Sequence, residues 1–185
     1  AAVNATMGSA FPGQACSAIS RVLLHESVRD KFLARLKEKA QAAGPSMLID
    51  KAAIERVERY VEMGKTQGEL LFGGARPAAD EYAKGCYFEP TVFAFADQSS
   101  PVCRDEIFGP ILSVLTFASD EEVLALANDT DYGLLVSLWT QEPDRQRHFI
   151  RRLEVGIVAV NSGSALSHRT LWGGFKQSGI GRRYG

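Results

Sequence analysis

The chain has 185 residues, 45% of them hydrophobic and 23% charged, values ordinary for a globular protein with a sizeable core. Its formal net charge of -1 gives no electrostatic case for nucleic acid or an anionic membrane as a partner. Apolar runs stay well short of the ~20 residues that cross a bilayer. The three cysteines form no disulfide framework, which indicates a reducing compartment, so we predict a cytoplasmic protein. The lack of CxxC or HxxxH spacing predicts no metal site.

The first predicted elements are a helix, a buried strand and a second helix. Residues 1–10 are typical of a helix, and the continuous apolar run within 21–26 is typical of a strand covered on both faces of its sheet. Ser27 is a suitable cap for the helix that follows. Gly44, which precedes a proline, should end that helix.

The middle of the chain predicts one long helix and two extended segments. Asp50 should cap a helix whose apolar residues recur at helical spacing, and Gly64 and Gly68 mark its end. A strand is predicted at 69–72. Residues 88–95 are predicted to be extended, and the proline within them indicates an edge strand or a bend.

Strands and helices continue to alternate towards the end of the chain. The pattern predicts a buried strand at 111–117, followed by a helix that runs from a capping box at 119–122 to Asn128. A strand at 134–139 is followed by a helix that begins at Pro143 and buries Phe149, Ile150 and Leu153. The last predicted strand is at 156–160. Such alternation predicts an α/β fold, a three-layer α/β/α domain with a mostly parallel twisted sheet. No domain boundary is visible within 1–185.

Cys16 is the first candidate for chemistry. It follows a Gly-Gln turn and lies shortly before a predicted strand. Backbone N–H groups of such a turn can point at the sulfur and favour the nucleophilic thiolate. The alternative is a small buried apolar residue, since free cysteine is among the most buried residue types. Cys86 and Cys103 lack the Gly-Gln setting and are not expected to be catalytic.

Four motifs in order resemble the aldehyde dehydrogenase superfamily. The Gly-Gln-x-Cys segment at 13–16 is followed by Arg21, and a complete Glu-Ile-Phe-Gly-Pro sequence occupies 106–110. A Gly-Gly-Phe-Lys-Gln-Ser-Gly segment at 173–179 looks like the family's closing element, and 85–93 with its Pro-Thr-Val-Phe also fits. The resemblance covers nearly the whole chain and implies an enzyme that oxidises an aldehyde to a carboxylic acid.

The resemblance implies a role for each candidate site residue. Cys16 is the nucleophile, which forms a thiohemiacetal and then a thioester. Glu106 holds the ribose hydroxyls of the nicotinamide cofactor, NAD or NADP, and Phe108 lies against the nicotinamide ring. By themselves these residues also fit a solvated carboxylate and a core phenylalanine. The positions implied for the substrate pocket are Gln14, Ala15, Ser17 and Trp172, with the loop 162–171 as its mouth.

The resemblance also implies that the chain is one part of a larger enzyme. In the family, the dinucleotide-binding domain, a catalytic glutamate and an oxyanion-hole asparagine come before the region that corresponds to residues 1–10. A final strand comes after the region that corresponds to Gly185. We therefore expect 1–185 to be a single catalytic domain of a larger homo-oligomer whose partner is a small-molecule aldehyde. Alone it should show at most weak, Cys16-dependent ester cleavage. The glycines at 179–185 do not form a dinucleotide-binding loop, because no strand precedes them and their spacing is wrong.

Two other functions stay open on the sequence alone. A stand-alone thiol hydrolase or acyl-transferase would need a histidine within ~3 Å of the sulfur of Cys16. A non-catalytic interaction module would leave Cys16 unused. Selective alkylation of Cys16 would argue against the module, and a contact between cysteine and histidine would favour the hydrolase.

Overall fold

The structure is a computed structural model that describes residues 1–163 and 168–185. Its internal contacts form two compact units. The large unit is Thr6–Phe117, and the small unit is Ala1–Ala5 together with Ala118–Gly185. The interpretation of the chain as one catalytic domain stays a prediction. No helix within the described residues is long and apolar enough to cross a membrane.

Most of the helices begin and end within a few residues of their predicted positions. They are α1 (Ala2–Ala10), α2 (Arg29–Ala43), α3 (Lys51–Gln67), α4 (Pro101–Arg104), α5 (Asp120–Asn128) and α6 (Pro143–Arg152), with short 3-10 turns at Glu26–Val28 and Asp80–Tyr82.

The longer strands also lie where the hydrophobic pattern predicts them. The strands are β1 (Arg21–His25), β2 (Ser46–Met47), β3 (Glu69–Phe72), β4 (Tyr87–Phe88), β5 (Thr91–Ala94), β6 (Ile111–Phe117), β7 (Tyr132–Gly133), β8 (Leu135–Leu138), β9 (Ile157–Val160) and β10 (Phe175–Lys176). The prediction that the strand at 156–160 is the last one is wrong, because β10 follows β9 and pairs with β7. A two-residue strand is too short to leave an alternating pattern in the sequence.

The large unit is built on a four-stranded sheet with the order β1-β6-β5-β3. Strand β6 pairs in parallel with both β1 and β5, whereas β3 pairs antiparallel with β5. The predicted α/β class with a mostly parallel sheet is confirmed. Because β1 and β6 run in the same direction, the segments that enter them lie at the same edge of the sheet. Those segments contain Cys16 and the 106–110 motif.

The core of the large unit lies between this sheet and α3. Alternate residues of β6 point to opposite faces, and Ile111 and Leu115 pack into one cluster with the apolar face of α3. Leu112 and Val114, which point the other way, are also buried. The helical stripe predicted for α3 is confirmed by its buried residues Ile54, Val57 and Val61.

Local capping explains most helix ends, with two corrections. The Asp50 cap is confirmed, because its Oδ1 accepts a hydrogen bond of 2.8 Å from the Ala53 N–H. Ser27 is not the cap of α2: it lies inside a 3-10 turn, where its N–H bonds to Nδ1 of His25. The predicted end of α3 is confirmed at Gly68, the C-cap, whose N–H bonds to the Gly64 carbonyl at 2.8 Å, whereas Gly64 itself lies inside the helix and packs against the ring of Phe93.

The small unit has its own parallel strand pair and its own apolar cluster. Strands β8 and β9 pair in parallel, and Leu124, Phe149 and Leu153 are buried together. The prediction that Ile150 is buried is wrong, since it is 47% exposed. Helix α6 buries only a narrow stripe, and the residue directly after Phe149 points about 100° away from it.

Candidate active site

Cys16 lies on an exposed turn at the amino end of β1. The turn is closed by a hydrogen bond of 2.9 Å from the Ala18 N–H to the Ala15 carbonyl. Both Ala15 and Cys16 are exposed, and Ser17 is half-buried. Within the described residues, neither the sulfur nor the backbone N–H of Cys16 forms a hydrogen bond. The alternative reading of Cys16 as a buried apolar residue is therefore wrong, and its thiol is open to reagents.

The amide of Gln14 ties this turn to the strand segment that follows α2. Its Nε2 donates to the Met47 carbonyl at 3.0 Å, and its Oε1 accepts from the Ile49 N–H at 2.9 Å. Both ends of the side chain are thus bonded to backbone groups. Gln14 therefore holds the Cys16 turn in place, while its assignment to the substrate pocket stays a prediction.

Ser9 of α1 provides a second tie to the turn, which sequence reasoning did not find. Its hydroxyl donates to the Ser17 carbonyl and accepts from the Ile19 N–H, both at 3.2 Å. A serine in a helix gives no sequence signal for such a role. The turn is therefore held from both sides, by α1 and by the segment before α3.

The Cys16 turn and the 106–110 motif meet at Gly13. This glycine has a φ of 73°, in the left-handed region that favours glycine. A Cβ placed on Gly13 would lie 2.1 Å from the carbonyl oxygen of Gly109. The two backbones can approach this closely only because Gly13 has no side chain. The structure thus brings together the two strongest motifs of the sequence.

Glu106 and Phe108 lie on the segment that leads into β6. The Glu106 side chain is exposed, and among the described residues it makes no hydrogen bond or ion pair. Phe108 is half-buried and has a φ of 54°, an uncommon conformation for a residue with a side chain. Arg56 of α3 holds this backbone, because its Nε donates to the Ile107 carbonyl at 2.8 Å.

Arg21, which follows the nucleophile in its motif, has a structural contact. It begins β1, and its Nη1 donates to Oε1 of the buried Gln98. The arginine therefore anchors the start of the strand to the loop between β5 and α4.

The two remaining cysteines lack the exposure of Cys16. Cys103 is buried in the core, and burial raises the pKa of its thiol above the usual value, although Ser113 and Arg21 partly oppose this. Cys86 is half-buried and packs against the same cluster. A buried thiol that keeps its proton is a poor nucleophile.

We expect Cys16 to be alkylated faster than both other cysteines of the native protein. The sulfur of Cys16 is exposed, whereas Cys103 is only 8% exposed and is protonated at neutral pH. Limiting iodoacetamide followed by peptide mass spectrometry measures the three sites separately, and unfolding in urea should make their rates similar. Predominant labelling of Cys86 or Cys103 in the native protein would contradict the assignment.

The hydrolase alternative requires a histidine on the sulfur, and the large unit does not provide one. His25, the histidine of this unit, bonds through Nδ1 to Ser27 and packs edge-on against Phe117. Groups of histidine, cysteine or acidic residues that could hold a metal ion are also absent from the described residues.

Trp172 and the 173–179 motif lie in the small unit. The backbone of Trp172 pairs with that of Arg183 through hydrogen bonds of 2.7 and 2.8 Å, and its side chain is half-buried. In the motif, Lys176 binds the Asn128 carbonyl at 2.6 Å and Ser178 accepts from the Gly133 N–H at 3.0 Å. These contacts attach the 173–179 motif to other residues of the small unit. The predicted mouth loop lies in part outside the described residues, which exclude 164–167.

The large unit also has a surface cleft of about 360 Å³ at the other end of its sheet. It is lined by residues at the carboxyl ends of β5 and β6, including Thr116, and by Arg29, Gln67 and Glu69. None of the motif residues lines this cleft. Cys16 and Glu106 instead lie on the segments that enter the amino ends of β1 and β6.

Comparison with known proteins gives one consistent family. Residues 1–185 match the family model described as "Aldehyde dehydrogenase family". Betaine aldehyde dehydrogenase from Bacillus subtilis (strain 168) is 37% identical, with the alignment spanning 100% of this chain and 40% of the relative. Betaine aldehyde dehydrogenase from Brucella melitensis is also 37% identical, over 94% of this chain and 38% of the relative.

Solved structures agree in fold over the whole chain. Betaine aldehyde dehydrogenase from Staphylococcus aureus in complex with NAD+ superposes with a TM-score of 0.95 at 31% identity, covering 100% of this chain and 39% of that one. A putative aldehyde dehydrogenase from Burkholderia cenocepacia gives a TM-score of 0.96 at 34% identity, covering 100% of this chain and 40% of that one. The chain spans about 40% of the length of the curated relatives it matches.

Proposed function

This chain belongs to the aldehyde dehydrogenase family, and on that premise we propose that it supplies the nucleophile of an enzyme that oxidises an aldehyde to a carboxylic acid with NAD or NADP. The observation that carries the proposal is the exposed thiol of Cys16 on a turn that packs, through Gly13, against the Glu106 segment. A nucleophile and a free carboxylate on adjoining backbones fit a reaction in which a thiol adduct of the substrate gives up a hydride to a cofactor held beside it.

In the proposed mechanism, the thiolate of Cys16 attacks the carbonyl carbon of the aldehyde and forms a thiohemiacetal. Sulfur suits this step because the thioester that follows is reactive enough to be hydrolysed. The developing negative charge on the substrate oxygen needs hydrogen-bond donors. The backbone N–H of Cys16 makes no bond within the described residues and is one such donor. Once the thiohemiacetal carbon has lost its hydride and the oxygen its proton, water hydrolyses the resulting thioester, which releases the carboxylic acid and the free thiol.

The residues around Glu106 fit a nicotinamide cofactor. An ionised carboxylate has two oxygens that accept hydrogen bonds, and the Glu106 side chain is exposed without a partner among the described residues. Half-buried Phe108 can cover one face of a planar ring. When bound, the cofactor supplies the acceptor for the hydride that leaves the thiohemiacetal carbon. Glu106 and Phe108 would orient that acceptor.

Replacing Glu106 by glutamine in the complete enzyme should raise the KM for the cofactor by about 10- to 100-fold. A hydrogen bond to a charged group contributes roughly 1.5–3 kcal/mol, and the neutral amide cannot accept through both of its polar atoms. Steady-state kinetics with varied cofactor measure the effect, and Cys16 alkylation should be unchanged. Glu38→Gln, an exposed carboxylate on α2, is the matched control. Unchanged cofactor affinity in Glu106→Gln would remove Glu106 from the site.

The names of the relatives direct the choice of the first substrate. Because the relatives are named betaine aldehyde dehydrogenases, we propose betaine aldehyde as the first aldehyde to assay, beside an uncharged aldehyde of similar size. Aromatic side chains bind quaternary ammonium groups through cation–π attraction. The roles of Gln14, Ala15, Ser17 and Trp172 in substrate binding, and a cytoplasmic homo-oligomeric state, remain proposals that rest on the family resemblance.

A further inference from the structure

Side chains of α3 form hydrogen bonds with the segment 105–109 at three of its residues, Asp105, Ile107 and Phe108. The hydroxyl of Tyr60 donates to Oδ2 of Asp105 at 2.7 Å. One turn earlier on the helix, Arg56 donates from Nε to the Ile107 carbonyl at 2.8 Å, and its Nη2 reaches the Phe108 carbonyl at 3.5 Å. Residues four apart share a helix face, so both side chains act from the same side.

The same helix face also contacts the end of the segment. A Cβ placed on Gly109 would lie 2.4 Å from Cγ2 of Val57, so this glycine packs directly against α3. Ile107 is 5% exposed and belongs to the core cluster that includes Val57. The residues on both sides of Glu106 are therefore held by α3, Asp105 through its carboxylate and Ile107 through its carbonyl and its buried side chain, while the Glu106 side chain is left exposed.

The conformation of Phe108 needs such support. Its φ of 54° is sparsely populated for a residue with a side chain, and conformations of this kind persist where the surrounding structure imposes them. The contacts of Arg56 to the carbonyls of Ile107 and Phe108 are the visible restraint. The chemistry of Tyr60 fits the same role. Burial and the hydrogen bond to Asp105 raise the pKa of Tyr60, so its hydroxyl keeps the proton that it donates at neutral pH.

We propose that Arg56 and Tyr60, here called the α3 clamp, are positioning residues that hold Glu106 and Phe108 in the geometry that receives the nicotinamide cofactor. This inference rests on the proposed role of Glu106. The clamp acts through the Asp105 carboxylate and the carbonyls of Ile107 and Phe108, and not through a contact of its own with the cofactor. Its loss should therefore loosen the segment before any cofactor is added and should weaken cofactor binding only while Glu106 is present.

The first test measures the segment in the complete enzyme without cofactor. Arg56→Met removes both bonds to the backbone, and Tyr60→Phe removes only the hydroxyl and keeps the packed ring. Hydrogen exchange by mass spectrometry should show exchange in the peptide containing 105–109 at least about 10-fold faster in both variants, because local opening sets the exchange rate. Lys65→Met is the control on the same helix, since Lys65 pairs with Glu62. Unchanged exchange in both clamp variants would overturn the proposal.

The second test separates positioning from direct contact. Arg56→Met should raise the KM for the cofactor by about 10-fold, the expected loss when a charged hydrogen bond is removed, while the rate of Cys16 alkylation stays within about twofold. In the Glu106→Gln background, adding Arg56→Met should raise KM little further, because both changes remove the same interaction. If the effects of Arg56→Met and Glu106→Gln on the KM for the cofactor multiply in the double variant, Arg56 acts independently of Glu106 and the clamp proposal is wrong.

The two hypotheses fail in different ways. If Glu106→Gln leaves the KM for the cofactor unchanged, the proposed role of Glu106 is wrong whatever the exchange data show. If Glu106→Gln raises the KM but Arg56→Met and Tyr60→Phe do not, the role of Glu106 stands and the clamp is wrong. Because Tyr60→Phe removes a single oxygen atom, it keeps the test informative even if Arg56→Met does not fold.

Discussion

Replacing Cys16 by alanine is expected to abolish aldehyde oxidation by the complete enzyme, with a loss in kcat on the order of 10⁶, the size seen when an enzyme loses its nucleophile. No other described thiol can take its place, since Cys103 is buried and Cys86 is half-buried in the core. Formation of reduced cofactor at saturating aldehyde measures the effect.

The controls for this variant separate chemistry from folding. Cys86→Ala should retain activity to within about twofold to threefold, because Cys86 lies outside the proposed site and the change removes a single sulfur atom from a half-buried side chain. Cys16→Ala should still bind the cofactor, since Glu106 and Phe108 are unchanged. If Cys16→Ala keeps a substantial fraction of wild-type kcat, Cys16 is not the nucleophile and the proposed mechanism is wrong.

Replacing Gly13 by alanine is expected to destabilise the large unit by more than about 3 kcal/mol, which exceeds the typical effect of a point mutation. Two costs combine at this position. The φ of 73° disfavours any residue with a Cβ, by roughly 1–2 kcal/mol. The new Cβ would also lie 2.1 Å from the Gly109 carbonyl oxygen, where backbone and not a flexible side chain must move. Urea titration followed by circular dichroism measures the loss.

Gly44→Ala is the matched control for the strain at Gly13. Gly44 has the same φ of 73°, but a Cβ placed there would meet no atom within 4 Å. Its substitution should therefore cost only the conformational part, about 1–3 kcal/mol for a residue with a side chain at a φ of 73° and a ψ of -171°. Equal losses in the two variants would mean that Gly13 and Gly109 are not in close contact. The Gly13→Ala variant should also lower kcat/KM, because the Cys16 turn can no longer pack against the segment that carries Glu106.

The elements predicted correctly from the sequence are those whose signal is local. The hydrophobic run at β6 and the helical stripe of α3 need only neighbouring residues to be recognised. The Asp50 cap bonds to a residue three positions later, so its signal is local as well. Ser27 failed as a cap because its hydroxyl bonds to Nδ1 of His25 instead of accepting from the first turn of α2, a local alternative that composition does not reveal.

The parts of the candidate site that sequence reasoning missed depend on long-range contacts. Arg56 lies 51 residues from the carbonyl that it binds, and Tyr60 lies 45 residues from Asp105. On the sequence, Arg56 is an ordinary charged residue of an amphipathic helix, and Tyr60 falls on the apolar stripe of that helix. Ser9, which holds the Cys16 turn, likewise has no pattern that distinguishes it from other helical serines.

The sequence by itself determined the family, the α/β class and the identity of the candidate nucleophile, because these are carried by motif residues and by periodicities of two and 3.6 residues. Only the tertiary structure decided that the Cys16 turn and the Glu106 segment adjoin, since parallel pairing of β1 and β6 brings their amino ends to one edge. It also decided which groups hold that arrangement: the bare backbone of Gly13, the amide of Gln14 and the α3 face with Arg56. The physical reason is that packing and hydrogen bonding join residues by distance in space, whereas a single sequence records only their order along the chain.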